Sequence, residues 1–68
     1  MLLQYKGENT IDFINNSLYE AKQVHDDAFG DYYAIFDEGD DWYCYSMKFV
    51  EKNFVDVTLE LENNEKSA

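Results

Sequence analysis

The stretch Asp31–Tyr45, DYYAIFDEGDDWYCY, restricts the possible folds of this chain more than any other. Two aromatic-rich runs, Tyr32–Phe36 and Trp42–Tyr45, flank Asp37-Glu38-Gly39-Asp40-Asp41. Aromatic and β-branched side chains fit a pleated, half-buried surface, so both runs read as strands. A five-residue connection with a central glycine suits a hairpin loop longer than the tightest two-residue turn. The stretch therefore predicts a β-hairpin with a carboxylate-loaded tip, around which the remaining residues must fold.

Length decides how that hairpin is stabilised. A chain of 68 residues forms one domain, and a domain of this size hides only about 60% of its unfolded surface. Large side chains must then supply the core. The 18% aromatic content provides them, because each ring buries about 150–250 Å². Cys44 is the only cysteine, which excludes an intramolecular disulfide and fits a reducing compartment. The opening Met1–Lys6 is too short in apolar residues for a signal peptide, and no run approaches the roughly 20 apolar residues of a membrane span. A cytoplasmic protein without membrane contact is expected, with a single domain over residues 1–62 and a polar tail over 63–68.

Read in order, Leu2–Lys6 is a short first strand, and Gly7-Glu8-Asn9-Thr10 has turn chemistry. Ile11–Val24 is ambiguous. Ile11, Ile14, Leu18 and Ala21 fall at helical spacing, with Asn9 or Thr10 as N-cap. Asn15-Asn16-Ser17 competes with a helical backbone and reads as a turn before a strand over Leu18–Val24. His25–Asp31 forms a polar loop closed by Gly30, and Ser46–Val50 is long enough for one helical turn. Val55, Val57, Leu59 and Leu61 alternate with Asp56, Thr58, Glu60 and Glu62, the pattern of a strand with one apolar face.

The order of elements resembles an SH3-like small barrel. Tyr32-Tyr33 matches the paired aromatic that opens a central strand, Asp37–Asp41 the distal loop, and Tyr45–Val50 the strand end with its helical turn. More closely, the chain resembles short SH3-like proteins of low-GC Gram-positive bacteria and their phages. The matching segments are Tyr5-Lys6-Gly7-Glu8, Asn15–Glu20, Tyr33–Glu38, Tyr43-Cys44-Tyr45 and Phe49-Val50-Glu51. The resemblance implies an all-β fold, a small five-stranded SH3-like barrel with one short helical turn near Ser46–Val50. It favours turn plus strand for Ile11–Val24. The alternative is an α+β fold, with a helix over about Thr10–Val24 packed on a three-stranded antiparallel sheet. The resemblance also implies a peptide groove lined by Tyr5, Tyr32 and Phe49. SH3 domains read polyproline helices, but the position that usually holds proline is here Ser46 or Met47. A looser aromatic protein-binding face is expected in place of polyproline recognition.

No arrangement of residues points to catalysis, a metal or a cofactor. Asp37–Asp41 lacks the spacing of a calcium loop. His25 beside Asp26 and Asp27 has no second histidine or cysteine nearby for zinc. Cys44 lies in an acidic neighbourhood that does not activate a thiol. The expectation is a non-enzymatic protein.

Charge carries the rest of the functional reading. Fifteen acidic residues stand against five lysines and no arginine, a formal net charge of −10. Binding to a nucleic-acid backbone depends on basic side chains, so direct nucleic-acid binding is not expected. One reading is that the charge keeps an aromatic-rich domain soluble; the sharper one is that it steers the domain toward a basic protein surface. Asp37, Glu38, Asp40 and Asp41 at the tip, with Trp42 as an exposed anchor if Tyr43 and Tyr45 face inward, complete an acidic-aromatic face. The leading expectation is an interaction module, phage- or prophage-related, that binds a basic surface of a host protein. A second is a DNA mimic presenting Asp26, Asp27, Asp31, Asp37–Asp41, Asp56, Glu60 and Glu62. A third is a homodimer through the Val55–Leu61 edge.

Overall fold

The computed structural model describes residues 1–59. Five strands run in one antiparallel sheet: β1 (Leu2–Tyr5), β2 (Leu18–Asp26), β3 (Gly30–Phe36), β4 (Trp42–Ser46) and β5 (Phe54–Asp56). One helix, α1 (Met47–Asn53), connects β4 to β5. The order across the sheet is β4-β3-β2-β1-β5. Each consecutive pair from β1 to β4 is a direct antiparallel neighbour, and β5 returns to the far side of β1.

The central hairpin has the predicted register. Phe36 stands opposite Trp42 and Tyr33 opposite Tyr45, leaving Asp37–Asp41 as the connection. Asp40 adopts φ 57°, a left-handed conformation that Asp tolerates better than most residues. The preceding hairpin is longer and tighter than expected. His25 and Asp26 belong to β2 and pair with Asp31 and Gly30, so only Asp27–Phe29 connect the strands. The Asp26 carboxylate accepts the Ala28 and Phe29 amides at 2.7 and 2.9 Å, which closes the turn. Gly30 supplies φ 81° at its end.

No helix forms over Thr10–Val24, so the α+β alternative is set aside in favour of turn plus strand. The reason is local competition for the backbone. Thr10 Oγ1 accepts the Asp12 and Phe13 amides at 3.2 and 3.0 Å, and Asn9 Oδ1 accepts the Asn15 amide at 2.6 Å. Asn16 takes φ 68° and turns the chain into β2, its amide donating to the Tyr5 carbonyl at 2.7 Å. The helical stripe was also misleading about burial. Ile11 is 93% exposed, whereas Phe13, off that stripe, is 2% exposed.

Phe13 is the centre of the core. Its ring packs against Tyr5, Tyr19, Tyr45 and Phe54 at centroid distances of 5.1–5.2 Å, and against Phe49 at 6.2 Å. Leu3, Ala21, Ile35 and Val50 complete the buried cluster. Gly7 is required beside it: a Cβ there would stand 2.5 Å from the Tyr5 hydroxyl oxygen.

α1 extends past the expected single turn. Ser46 caps it by accepting the Phe49 amide at 3.1 Å, and Lys52 lies in its last turn, where a cation complements the helix dipole. β5, in contrast, is only three residues long. Phe54 and Val57 face inward, while Val55 and Leu59 are exposed. In place of the expected strand over Val55–Leu61, the structure has Phe54–Asp56: Phe54 joins the ring cluster, the strand ends at Asp56, and Val57 is buried beyond it. Leu61, Glu60, Glu62 and the expected tail over 63–68 lie outside the described residues. The sheet is open, with β4 and β5 as its edges, so the expected closed barrel is not formed.

Replacing Phe13 with Ala empties the centre of this cluster. Chemical denaturation should show a loss of about 3–5 kcal/mol, as for other buried phenylalanine truncations, a large fraction of the stability of so small a domain. A loss below about 1 kcal/mol would place the ring outside the core.

Candidate functional site

The loop that inserts Phe13 also carries Asp12 to the tip of the central hairpin. The Asp12 carbonyl accepts the Glu38 amide at 3.0 Å. Tyr19 makes a second tie: its hydroxyl accepts the Ile14 amide at 2.8 Å and donates to Glu38 Oε2 at 2.6 Å. Burial first, and then the bond to Glu38, raise the Tyr19 pKa above its ordinary value. The loop and the tip are thus held side by side.

Between them lies a groove of about 530 Å³, lined by Asp12, Asp37, Gly39, Asp41, Tyr43, Cys44 and Tyr45. Asp37 forms its floor and is 3% exposed. A buried carboxylate is costly without partners, and this one has them. Oδ1 accepts the Gly39 amide at 2.9 Å and Oδ2 accepts the Tyr45 hydroxyl at 3.1 Å. Its backbone also ties the tip, donating to the Asp41 carbonyl and accepting the Asp40 amide, both at 3.1 Å. Tyr45 is half-buried against Phe13 and Phe49. Burial is the main reason its pKa lies far above the usual tyrosine value, followed by Asp37, with Asp12 and Tyr43 adding to the effect. Tyr43 is 55% exposed on the rim and Asp41 is exposed beside it, while Asp12 is half-buried. Among the described residues, no lysine forms an ion pair with any of these acids; the ion pairs there all involve His25.

The residues expected to form the partner face divide into several locations. Tyr5 is buried, its hydroxyl donating to the Glu8 carbonyl at 2.6 Å, and Asp37 is buried as described, so neither is a surface contact. Phe49 is half-buried and stacks on Tyr45. Glu38 is exposed but held by Tyr19, and Asp40 is exposed at the tip. Tyr32 and Trp42 lie on the opposite sheet face from Tyr43 and Tyr45, because side chains alternate along β3 and β4. Trp42 is 39% exposed. It packs on Phe36 at 5.5 Å and carries Lys22 Nζ 4.4 Å above its ring. The indole thus has a cation of its own and does not join the acidic groove. Asp41 does, and the sequence reading overlooked the other rim residues, Asp12 and Tyr43. Tyr43 was accessible from the alternation with Tyr45. Asp12 depended on a loop fold that no local pattern specifies.

The remaining acids are elsewhere. At the far end of β3, His25 meets Asp31 at 2.6 Å and Asp27 at 3.1 Å, and both carboxylates raise its pKa, Asp31 more. Asp56 accepts the Thr58 amide at 3.0 Å. Among the described residues, no group of three or more His, Cys, Asp or Glu is arranged to hold a metal ion. No helix there is long and apolar enough to cross a membrane. Cys44 is exposed and unpaired. Comparison with protein-family models, curated proteins and solved structures returned no match.

The raised Tyr45 pKa has a stability consequence. The unfolded chain ionises this tyrosine near its ordinary value of 10.0, while the folded chain resists ionisation. Its contribution is fully present below pH 10.0 and is lost as pH rises toward the folded value. Denaturation midpoints should fall with increasing alkalinity, and Tyr45→Phe should flatten that slope while lowering stability at neutral pH by about 1 kcal/mol. An unchanged alkaline slope in the variant would contradict the assignment.

Proposed function

We propose that this chain is a non-enzymatic interaction module that binds a basic protein surface through the groove between Asp12 and β4. The observation that carries the reading is the convergence of Asp12, Asp37 and Asp41 with Tyr43 and Tyr45 around one concavity. Its rim acids face no lysine of the described chain, so a partner's cation would meet them without first displacing an internal one. The groove accepts a lysine or arginine stem against the two tyrosine rings while the charged head reaches the carboxylates. The net charge of −10 steers such a partner from a distance and makes association sensitive to salt.

The wider setting of this proposal is an SH3-like protein of low-GC Gram-positive bacteria or their phages, acting in the cytoplasm on a host protein. The strand order and the position of α1 directly after β4 support the SH3-like relationship. The exposed lone Cys44 supports a reducing compartment. DNA mimicry is the weaker alternative. Its carboxylates divide between the two ends of β3, Asp37 is buried, and Asp27 and Asp31 are engaged with His25. Self-association through β5 is also weaker, because that strand spans only Phe54–Asp56.

A titration with tri-lysine, followed by amide NMR at low salt, tests the reading. Shifts should concentrate at Asp12, Gly39, Asp41 and Tyr43 and fade as salt is added. The double variant Asp12→Asn and Asp41→Asn should weaken binding about tenfold, the sum expected for two partly exposed charge contacts. Unchanged binding in that variant, or shifts that ignore these residues, would remove the groove as the site.

A further inference from the structure

Among the described residues β4 is an edge strand with none of the usual protection. Edge strands are normally blunted by charged side chains, proline, a bulge or very short length, because their free N–H and C=O groups recruit other strands. β5, the other edge, is three residues long and contains Asp56. β4 is Trp-Tyr-Cys-Tyr-Ser, five residues without a charge or proline in a chain that is 29% charged.

The hydrogen-bond alternation identifies which groups are free. Asp37 and Asp41 bond across the hairpin, so the next pair, Phe36 and Trp42, is a non-bonded position and Ile35 with Tyr43 a bonded one. Tyr43 and Tyr45 therefore direct their backbone groups to β3, while those of Trp42 and Cys44 point away from the sheet. The Trp42 amide is met by the Asp41 carboxylate of its own chain at 2.8 Å. The groove is lined by three consecutive residues of this edge, Tyr43, Cys44 and Tyr45, so the edge backbone forms one of its walls.

We propose that the partner enters as an extended basic segment that adds a strand to the free edge of β4. This rests on the reading of the groove as a site for basic side chains and specifies how they arrive. Side chains of an added strand alternate between the two faces. Those beside Tyr43 and Tyr45 point toward Asp12 and Asp41, and call for lysine or arginine. Those beside Trp42 and Cys44 lie on the face of Phe36 and the indole, and call for apolar residues. The recognised pattern is therefore basic-apolar-basic. Asp41 releases the Trp42 amide to the incoming carbonyl and becomes available to a cation. A basic segment fits this edge better than a second copy does, because two chains of −10 repel.

The test uses a hexapeptide of alternating lysine and valine, a peptide of the same composition with its lysines and valines in separate blocks, and the alternating peptide N-methylated on every second residue. With the full chain, the alternating peptide should shift the Cys44 amide and slow its exchange with solvent. N-methylation on the bonding side should weaken binding about tenfold or more. Cys44→Pro removes the free donor while leaving the β3 ladder intact, as proline is tolerated at outward-facing edge positions. It should abolish discrimination between alternating and block peptides while tri-lysine still shifts Asp12 and Asp41. Equal binding of both peptides and of the N-methylated form, with shifts confined to Asp12, Asp41 and Tyr43, would overturn strand addition and leave the groove reading standing. Absence of binding by every lysine peptide, tri-lysine included, would overturn both. Concentration-dependent dimerisation that protects Cys44 without peptide would assign the edge to a second copy instead.

Discussion

The fold depends on one aromatic ring supplied by an irregular loop. Phe13 contacts rings from β1, β2, β4, α1 and the start of β5, and shares the buried cluster with Ile35 of β3. A chain this short has little surface to bury, and a sheet of five short strands leaves one face to be covered. α1 covers part of that face and the Phe13 loop covers the centre. The loop backbone tolerates burial of its ring because Thr10, Asn9 and Tyr19 satisfy its amides.

The groove is a by-product of the same arrangement. Inserting Phe13 fixes Asp12 beside the hairpin tip, and Glu38 fastens the two through Tyr19 and the Asp12 carbonyl. Asp37, which reads as part of an exposed acidic tip, becomes the internal brace of that tip. Its carboxylate orders Gly39 on one side and Tyr45 on the other. One carboxylate thus organises the turn, and two others, the half-buried Asp12 and the exposed Asp41, border the groove with it. Local stability and a surface suited to cations arise from the same few residues.

The hairpin, the turn before β2 and the helical turn after β4 were legible because each is specified by neighbours in the chain. Aromatic runs set β3 and β4, Asn15-Asn16-Ser17 stops any helix, and Ser46–Val50 marks the start of α1. What was illegible depended on contacts distant in sequence. The spacing of Ile11, Ile14, Leu18 and Ala21 fits a helix, yet side-chain oxygens redirect the backbone and place Phe13 inward with Ile11 outward. The alternation from Val55 onward fits a longer strand, yet β5 ends at Asp56: Phe54 reaches the aromatic cluster, Val57 is buried as the alternation implies, and Val55 and Leu59 are exposed. Tyr5 resembled a groove residue but is enclosed by Phe13, Phe54 and Gly7. Trp42 faces away from Tyr43 and Tyr45, as strand alternation requires, and Lys22 above its ring gives it cationic rather than acidic surroundings.

The central claim is that an irregular loop places a phenylalanine at the hub of five other rings and, by doing so, builds the groove. Nuclear Overhauser contacts of the Phe13 ring protons test it directly. The account predicts contacts to Tyr5, Tyr19, Tyr45, Phe49 and Phe54 in a single folded species, together with contacts between the Asp12 loop and Glu38. A Phe13 ring with contacts only to its sequence neighbours, or to the Ile14 and Leu18 side chains as in a helix, would contradict it.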